Sequence, residues 1–255
     1  MFNLNEGLWY YIINVENQGV SPSIYVLLTV AFTLICIAAG YLLGSINSAI
    51  IISKLLYGED IRTHGSGNAG LTNMLRTYGK GAAALTLVGD MLKTTIAIFI
   101  GGILGGFGDM GLISVGGSTC DFPLAYISGF FAILGHVYPL YYNFKGGKGV
   151  LCATTLALIL TPVEALILIV VFVGIVWMSK YVSLGSVSGA VLYPVLVHGH
   201  FTMQNQPSNG VMSLITILIA ILIVYWHRGN LKRISEGTER KISIGSAKKK
   251  DGKDE

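Results

Sequence analysis

The sequence predicts an all-α integral membrane protein with about seven transmembrane helices, its N-terminus outside and its C-terminus in the cytoplasm. Three observations predict this class. Of 255 residues, 53% are hydrophobic and 12% charged, against roughly 25% charged in a soluble domain. The apolar residues form long runs, to be compared with the ~20 needed to cross a bilayer. The 17 Lys and Arg residues are distributed to one side of those runs, which orients the chain by the excess of cations on cytoplasmic loops.

Residues 1–23 are mixed, and LWYYII from Leu8 to Ile13 is too short to span, so it reads as an interfacial segment with its rings at headgroup depth. Spans are expected over 24–44, 82–104, 122–142, 149–160, 163–179, 183–198 and 211–226. The fourth is short, and a tilted or half-buried helix is its alternative. The second contains Asp90 and Lys93, three apart and so on one helix face. They are either a structural ion pair near the membrane boundary or support for a nearby site, because ionisable groups at that depth are paired or face a cavity. With the N-terminus outside, the segments before Ile24 and at 105–121, 161–164 and 199–210 carry no Lys or Arg, and apart from Lys93 every cation falls on the opposite side or at its boundary. Residues 1–240 read as one membrane domain. Residues 241–255, with three consecutive lysines, read as a disordered cytoplasmic tail attracted to anionic lipid. Cys36, Cys120 and Cys152 suggest neither a disulfide framework nor metal spacing. The first cation is Lys54, so the N-terminus is not a secretory signal with a basic leading region.

The stretch around which the chain is organised is GSGNAGLTNMLRTYG, Gly65 to Gly79. Gly65, Gly67 and Gly70 permit turns that aim backbone N–H groups at one point. Asn68, Ser66, Thr72 and Asn73 add polar side chains, and a helix starting near Leu71 would add its positive end and carry Arg76 on its second turn. A phosphate would there meet N–H donors, hydroxyls and a guanidinium. A flexible loop with a surface arginine is the plain alternative, since GxxxxGK[ST] does not occur. A second glycine-rich basic stretch, FKGGKG, lies on the same expected side, with Lys145 and Lys148 around Gly146 and Gly147. It is either a second phosphate-approaching loop or a basic turn that follows from membrane orientation. His136 reads as a structural histidine. Ser183 and Ser186 open a span at i and i+3, where helix capping is the alternative for Ser183. His227 and Asn230, with Arg233 one turn on, end the last span, where simple anchoring would favour Lys, Arg, Trp or Tyr.

Anion donors, hydroxyls and an imidazole, with few carboxylates, at a cytoplasmic membrane edge suit a phosphorylated substrate meeting a lipid. HExxH and GxSxG are absent, so neither metal hydrolysis nor serine-esterase chemistry is supported.

At these motifs, over roughly residues 35 to 240, the chain resembles the bacterial membrane acyltransferases of the PlsY family. YLLGSINSA is similar to the family's opening segment and GSGNAGLTNMLRTYG to its first signature. GHVYPLYYNFKGGKGV resembles the second, YVSLGS the third, and HRGNLKRISEGTE the C-terminal pattern, with Gly229 where an acid is common. The resemblance implies transfer of a fatty acyl group from acyl-phosphate to the 1-hydroxyl of glycerol 3-phosphate, giving lysophosphatidic acid and inorganic phosphate in phospholipid synthesis. It implies no cofactor, no metal and no nucleic acid, and a polar site of Ser66, Arg76, Lys148, Ser186, His227 and Asn230. In that reading Arg76, Lys148 and the glycine N–H groups hold phosphates, while Ser66, His227 and Asn230 orient the hydroxyl. HxxxxD, usual in acyl-CoA-dependent relatives, is absent: Ala69, Tyr141, Met203, Asn205 and Lys232 stand five after the five histidines. The competing class is a transporter of phosphate or glycerol phosphate, disfavoured because no internal repeat is evident and the anion-binding residues gather at one face.

Overall fold

In the computed structural model, residues 7–8, 22–106, 123–203 and 210–242 are described. Among these, nine helices follow in order: α1 (Pro22–Ser45), α2 (Ser48–Tyr57), α3 (Leu71–Tyr78), α4 (Lys80–Gly105), α5 (Leu124–Val137), α6 (Val150–Leu160), α7 (Pro162–Ser179), α8 (Val182–Met203) and α9 (Gly210–Ser235). Short 3₁₀ turns cover Ile61–Thr63 and Leu140–Tyr142. Residues 9–13 of the expected interfacial segment, residues 107–122, residues 204–209 of the expected 199–210 loop and the tail beyond Ile242 lie outside the described residues.

Among the described residues, six helical stretches are long and apolar enough to cross a membrane. Each expected span has its helix, but α6 has only 11 residues, about 16 Å of axis at 1.5 Å per residue, against a hydrocarbon core of ~30 Å. Its start explains its length. The loop before it folds back on the end of α5, with Gly146 N–H donating to Val137 C=O (3.2 Å) and Gly147 N–H to His136 C=O (3.1 Å). Helix α6 therefore begins beside the last turn of α5 rather than beyond it.

Small residues let α1 and α5 touch backbone to backbone. A Cβ on Gly40 would land on the Ser128 carbonyl and one on Gly44 on that of Ala132, while Gly135 presses on Tyr41. This is the small-xxx-small packing by which helices associate in lipid. The first span was expected to end at Gly44. The structure ends α1 at Ser45 and turns the chain at Ile46–Asn47, where the Asn47 side chain accepts from Ile50 N–H and caps α2.

Behind that turn, Lys93 and Asp90 of α4 form a buried ion pair at 2.9 Å. Lys93 Nζ also donates to Ile46 C=O (2.7 Å) and lies 3.0 Å from His136 Nδ1. His136 is 4% exposed, the satisfied structural histidine expected of it. The cluster ties α4, α5 and the α1–α2 turn together just behind the glycine-rich loops. Asp90 and Lys93 are thus an ion pair, and Asp90 also lines the cavity described below. At the other end of the α7–α8 pair, buried Glu164 meets His200 at 2.7 Å, and Thr161 Oγ1 lies 3.1 Å from Tyr193 OH.

Candidate active site

The Gly65–Gly79 stretch is held by one amide. Asn73 is buried; its Oδ1 accepts from Ser66 N–H (2.9 Å) and its Nδ2 faces the carbonyls of Ile61, His64 and Asn68. Gly65 has φ +61°, and a Cβ there would land on Asn73 Oδ1, so this turn requires glycine. Helix α3 then begins at Leu71 with no side-chain cap. Its first N–H groups have no intrahelical partner, which leaves a positive end facing the cavity described below.

Arg62 joins this loop to the second. It forks onto Asp60 at 3.0 and 2.8 Å and donates to the carbonyls of Tyr142 (2.9 Å) and Lys145 (3.1 Å). The Arg62 hydrogen bond holds the Asp60 carboxyl down at about 2.

The second loop delivers Lys148, which donates to Asn230 Oδ1. Asn230 Nδ2 donates to Glu239 Oε1 (2.6 Å), and Glu239 also accepts from Arg233 Nε (2.7 Å) and Ser183 Oγ (3.1 Å). Burial, reinforced by Arg233 and Arg76 and opposed by Glu239, lowers Lys148 to about 8. Burial raises Glu239, but the hydrogen bonds from Asn230 and Arg233 outweigh it and hold that carboxyl below its usual value. The segment after α9 crosses back over the site, with Arg76 donating to Arg240 C=O (3.4 Å) and Ile242 N–H to Lys180 C=O (2.9 Å).

His227 is 4% exposed, and its Nδ1 lies 2.8 Å from Ile223 C=O. A carbonyl only accepts, so Nδ1 carries a proton, and in the neutral imidazole Nε2 is the acceptor nitrogen.

These groups share a cavity of about 670 Å³ between α3 and the bundle α6–α9, within the range of small-molecule sites. At its polar mouth are Gly65, Ser66, Asn68, Thr72, Arg76, Lys148, Ser183, Ser186, His227, Asn230, Arg233 and Glu239. Below them the wall is apolar, with Leu151, Ala157, Leu168, Phe172, Ala190 and Ile223 among its residues. Asp90 and His136 reach the cavity from behind.

The structure corrects several sequence expectations. The N–H groups of Gly146 and Gly147 serve the end of α5 and are unavailable to a phosphate. Gly67 N–H is likewise bonded to His64 C=O (2.9 Å). Gly67, Lys145 and Gly146 line a separate concavity with Arg62 and Asn143. Asn73 lines the main cavity but its amide is committed to the loop. Ser183 lies inside α8 and donates to Glu239 rather than capping. Ser186 Oγ donates to Val182 C=O (3.0 Å), leaving its oxygen as an acceptor at the mouth. Glu239 is a site residue that the motif argument does not assign; it is the second of two acids, after Glu236, that follow the basic end of α9, and acids there are a signal for a counter-charge. Arg62 falls just outside the motifs above, and nothing local in the sequence signals its bridge to the second loop.

A helical protein with membrane-length apolar helices and a mouth lined by Arg76, Lys148 and Arg233 above an apolar shaft has the parts to bring a phosphorylated polar molecule to a lipid chain. Residues 34–237 match the family model described as glycerol-3-phosphate acyltransferase. Curated relatives with that name are 39% identical over 203 residues in Syntrophomonas wolfei, covering 80% of this chain and 93% of that one, and 38% over 212 residues in Clostridioides difficile, covering 83% and 96%. The fold is similar to crystal structures of PlsY (YgiH), an integral membrane glycerol 3-phosphate acyltransferase. Its glycerol 3-phosphate form matches with TM-score 0.70 at 33% identity over 83% of this chain and 96% of that one. Its lysophosphatidic acid form matches with TM-score 0.68 at 32% identity over 83% and 95%. The chain belongs to the glycerol-3-phosphate acyltransferase family.

Proposed function

We propose that this protein transfers a fatty acyl group from acyl-phosphate to the 1-hydroxyl of sn-glycerol 3-phosphate, releasing lysophosphatidic acid and inorganic phosphate. The observation that carries the reading is the continuity of one cavity from Arg76, Lys148 and Arg233 at its mouth to an apolar shaft among α6, α7, α8 and α9. Phosphates bind the cations and the N-terminus of α3, and the acyl chain lies in the shaft. Two phosphates held close together repel, and three cations with a helix end offset that repulsion.

The donor is a mixed anhydride and already activated, so no acyl-enzyme is required. The hydroxyl oxygen attacks the acyl carbon, and the bond from that carbon to the phosphate oxygen breaks as phosphate leaves. The protein's task is to align hydroxyl and carbonyl and to stabilise developing negative charge. Ser66 and Asn230 orient the glycerol hydroxyl. His227 Nε2 is the protein base at hand for its proton, and a substrate phosphate oxygen is the alternative. Near-normal turnover in His227→Ala would assign the proton to the substrate. Glu239 holds Asn230, Arg233 and Ser183 in register.

The glycine-rich loops and the α9 terminus lie at the cytoplasmic face of a bacterial plasma membrane in this reading, with α6 counted as a short seventh crossing and the N-terminus outside. The bacterial sources of the relatives and the one-sided distribution of cations support that placement. Protein in liposomes, offered palmitoyl-phosphate or palmitoyl-CoA with glycerol 3-phosphate, tests the donor. Product from acyl-phosphate alone supports the assignment, product from the CoA ester alone overturns it, and uptake of glycerol 3-phosphate without lipid product marks a transporter.

A further inference from the structure

The shaft has a floor. On α8 the cavity-lining residues are Val182, Ser183, Gly185, Ser186, Gly189, Ala190 and Tyr193, one helical face from the first turn down to Tyr193. On α6 the deepest lining residue is Ala157, on α7 Ala165, and on α9 Ile219. All converge on the end of the bundle where Tyr193 sits. Tyr193 is 3% exposed and its hydroxyl is held 3.1 Å from Thr161 Oγ1, itself buried. A buried hydroxyl with a partner fixes a side chain more firmly than packing alone, so this floor is rigid.

One turn above, Gly189 lines the same shaft, and a Cβ built on it meets no atom within 4 Å. Nothing in helix packing requires glycine at that position, and glycine costs a helix interior about 1 kcal/mol relative to alanine. Its absent side chain leaves open the space that a chain descending from the mouth would occupy.

We propose that Tyr193 and Gly189 set the length of straight acyl chain that the enzyme admits, Tyr193 as the floor and Gly189 as the open wall above it. The assignment rests on the acyl-transfer reading of the cavity. Ten residues separate Ser183 at the mouth from Tyr193, about 15 Å of helix axis. An extended chain advances about 1.2 Å per bond, from the ~3.5 Å reach of three backbone bonds. The shaft therefore accepts roughly a dozen carbons straight, and a longer chain must bend or leave between helices toward lipid. Gly189 lies four residues above Tyr193, about 6 Å, so bulk at Gly189 removes room for about five carbons.

The test compares acyl-phosphates of eight to eighteen carbons with glycerol 3-phosphate, using reconstituted wild type, Gly189→Leu, Tyr193→Ala and Tyr193→Phe. In Gly189→Leu the ratio of kcat/KM for dodecanoyl over octanoyl donor falls about tenfold, the discrimination an apolar pocket gives for an ill-fitting chain. In Tyr193→Ala the ratio of octadecanoyl over dodecanoyl rises several-fold, and Tyr193→Phe, which keeps the ring, leaves the profile of wild type. Gly189→Leu fills empty space and keeps the test open should Tyr193→Ala fail to fold. An active wild type with all chain-length profiles unchanged, or lowered in parallel, overturns the length assignment and leaves acyl transfer standing. A wild type that acylates glycerol 3-phosphate from none of these donors overturns both.

Discussion

Raising the pH should switch off substrate capture through Lys148 alone. Its ammonium is half-buried behind Asn230, and burial lowers its pKa from 10.5 to about 8. In the proposed reaction only the charged form offsets two phosphates, so kcat/KM, which reports ionisations of the free enzyme, is expected to fall as pH rises through 8. Between pH 7 and pH 9 the charged fraction drops about tenfold for a group titrating near 8, and kcat/KM follows it. The second ionisation of a phosphate monoester lies near 6, so the substrate does not change charge in this window. Stability moves the other way. Between about 8 and 10.5 the unfolded chain holds the Lys148 proton more tightly than the folded one, so this group's contribution to stability rises with pH. A melting temperature measured in parallel separates titration from unfolding. The assay is initial phosphate release at low glycerol 3-phosphate from pH 6.5 to 9.5, corrected for spontaneous donor hydrolysis. In Lys148→Arg the charge persists over the whole range and the alkaline limb disappears. A wild-type profile flat to pH 9.5, or an unchanged limb in Lys148→Arg, would refute the reasoning.

Three further outcomes follow from the geometry. Glu239→Ala removes an acceptor shared by Asn230, Arg233 and Ser183; counting only the first two as charge-assisted bonds, it costs about 3 kcal/mol, read as a lower melting temperature together with lost activity. Gly147→Ala drives a Cβ onto His136 Nε2 and within 2.8 Å of Ala69 C=O, and by displacing Lys148 lowers kcat/KM at least a hundredfold; Gly174→Ala, with nothing within 4 Å, leaves initial rates as in wild type. Asp90→Ala strands a buried ammonium on Lys93 at a cost of about 3–5 kcal/mol, and the double variant Asp90→Ala/Lys93→Met recovers most of that loss in thermal melts.

The helical membrane class and the position of each long helix were legible because a bilayer imposes length and apolarity directly on the chain. The two glycine-rich loops were legible as a pair, and Arg76, Lys148, Ser66, His227 and Asn230 do meet at one mouth. What local pattern did not carry was the direction of each donor. Gly146 and Gly147 turn their N–H groups to α5 because the loop folds back to start α6 one turn early, and that return depends on a partner helix remote in sequence. Asn73 looked like a ligand and is a strut, since three carbonyls and one N–H converge on it only once the loop is closed. Arg62 and Glu239 escaped for the same reason: the one bridges to carbonyls 80 and 83 positions on, and the other gathers groups from two helices. The shaft floor at Tyr193 was invisible in a helix whose apolar residues run all round.

In the proposed reaction one site joins an acyl chain to glycerol 3-phosphate at the expense of an acyl-phosphate bond. Purified protein in lipid, given palmitoyl-phosphate and labelled glycerol 3-phosphate, tests it by counting lysophosphatidic acid and phosphate in the same tubes. Equal amounts of the two, both abolished in Lys148→Ala, are the expected result. Phosphate without lysophosphatidic acid, or lysophosphatidic acid undiminished in Lys148→Ala, would contradict it.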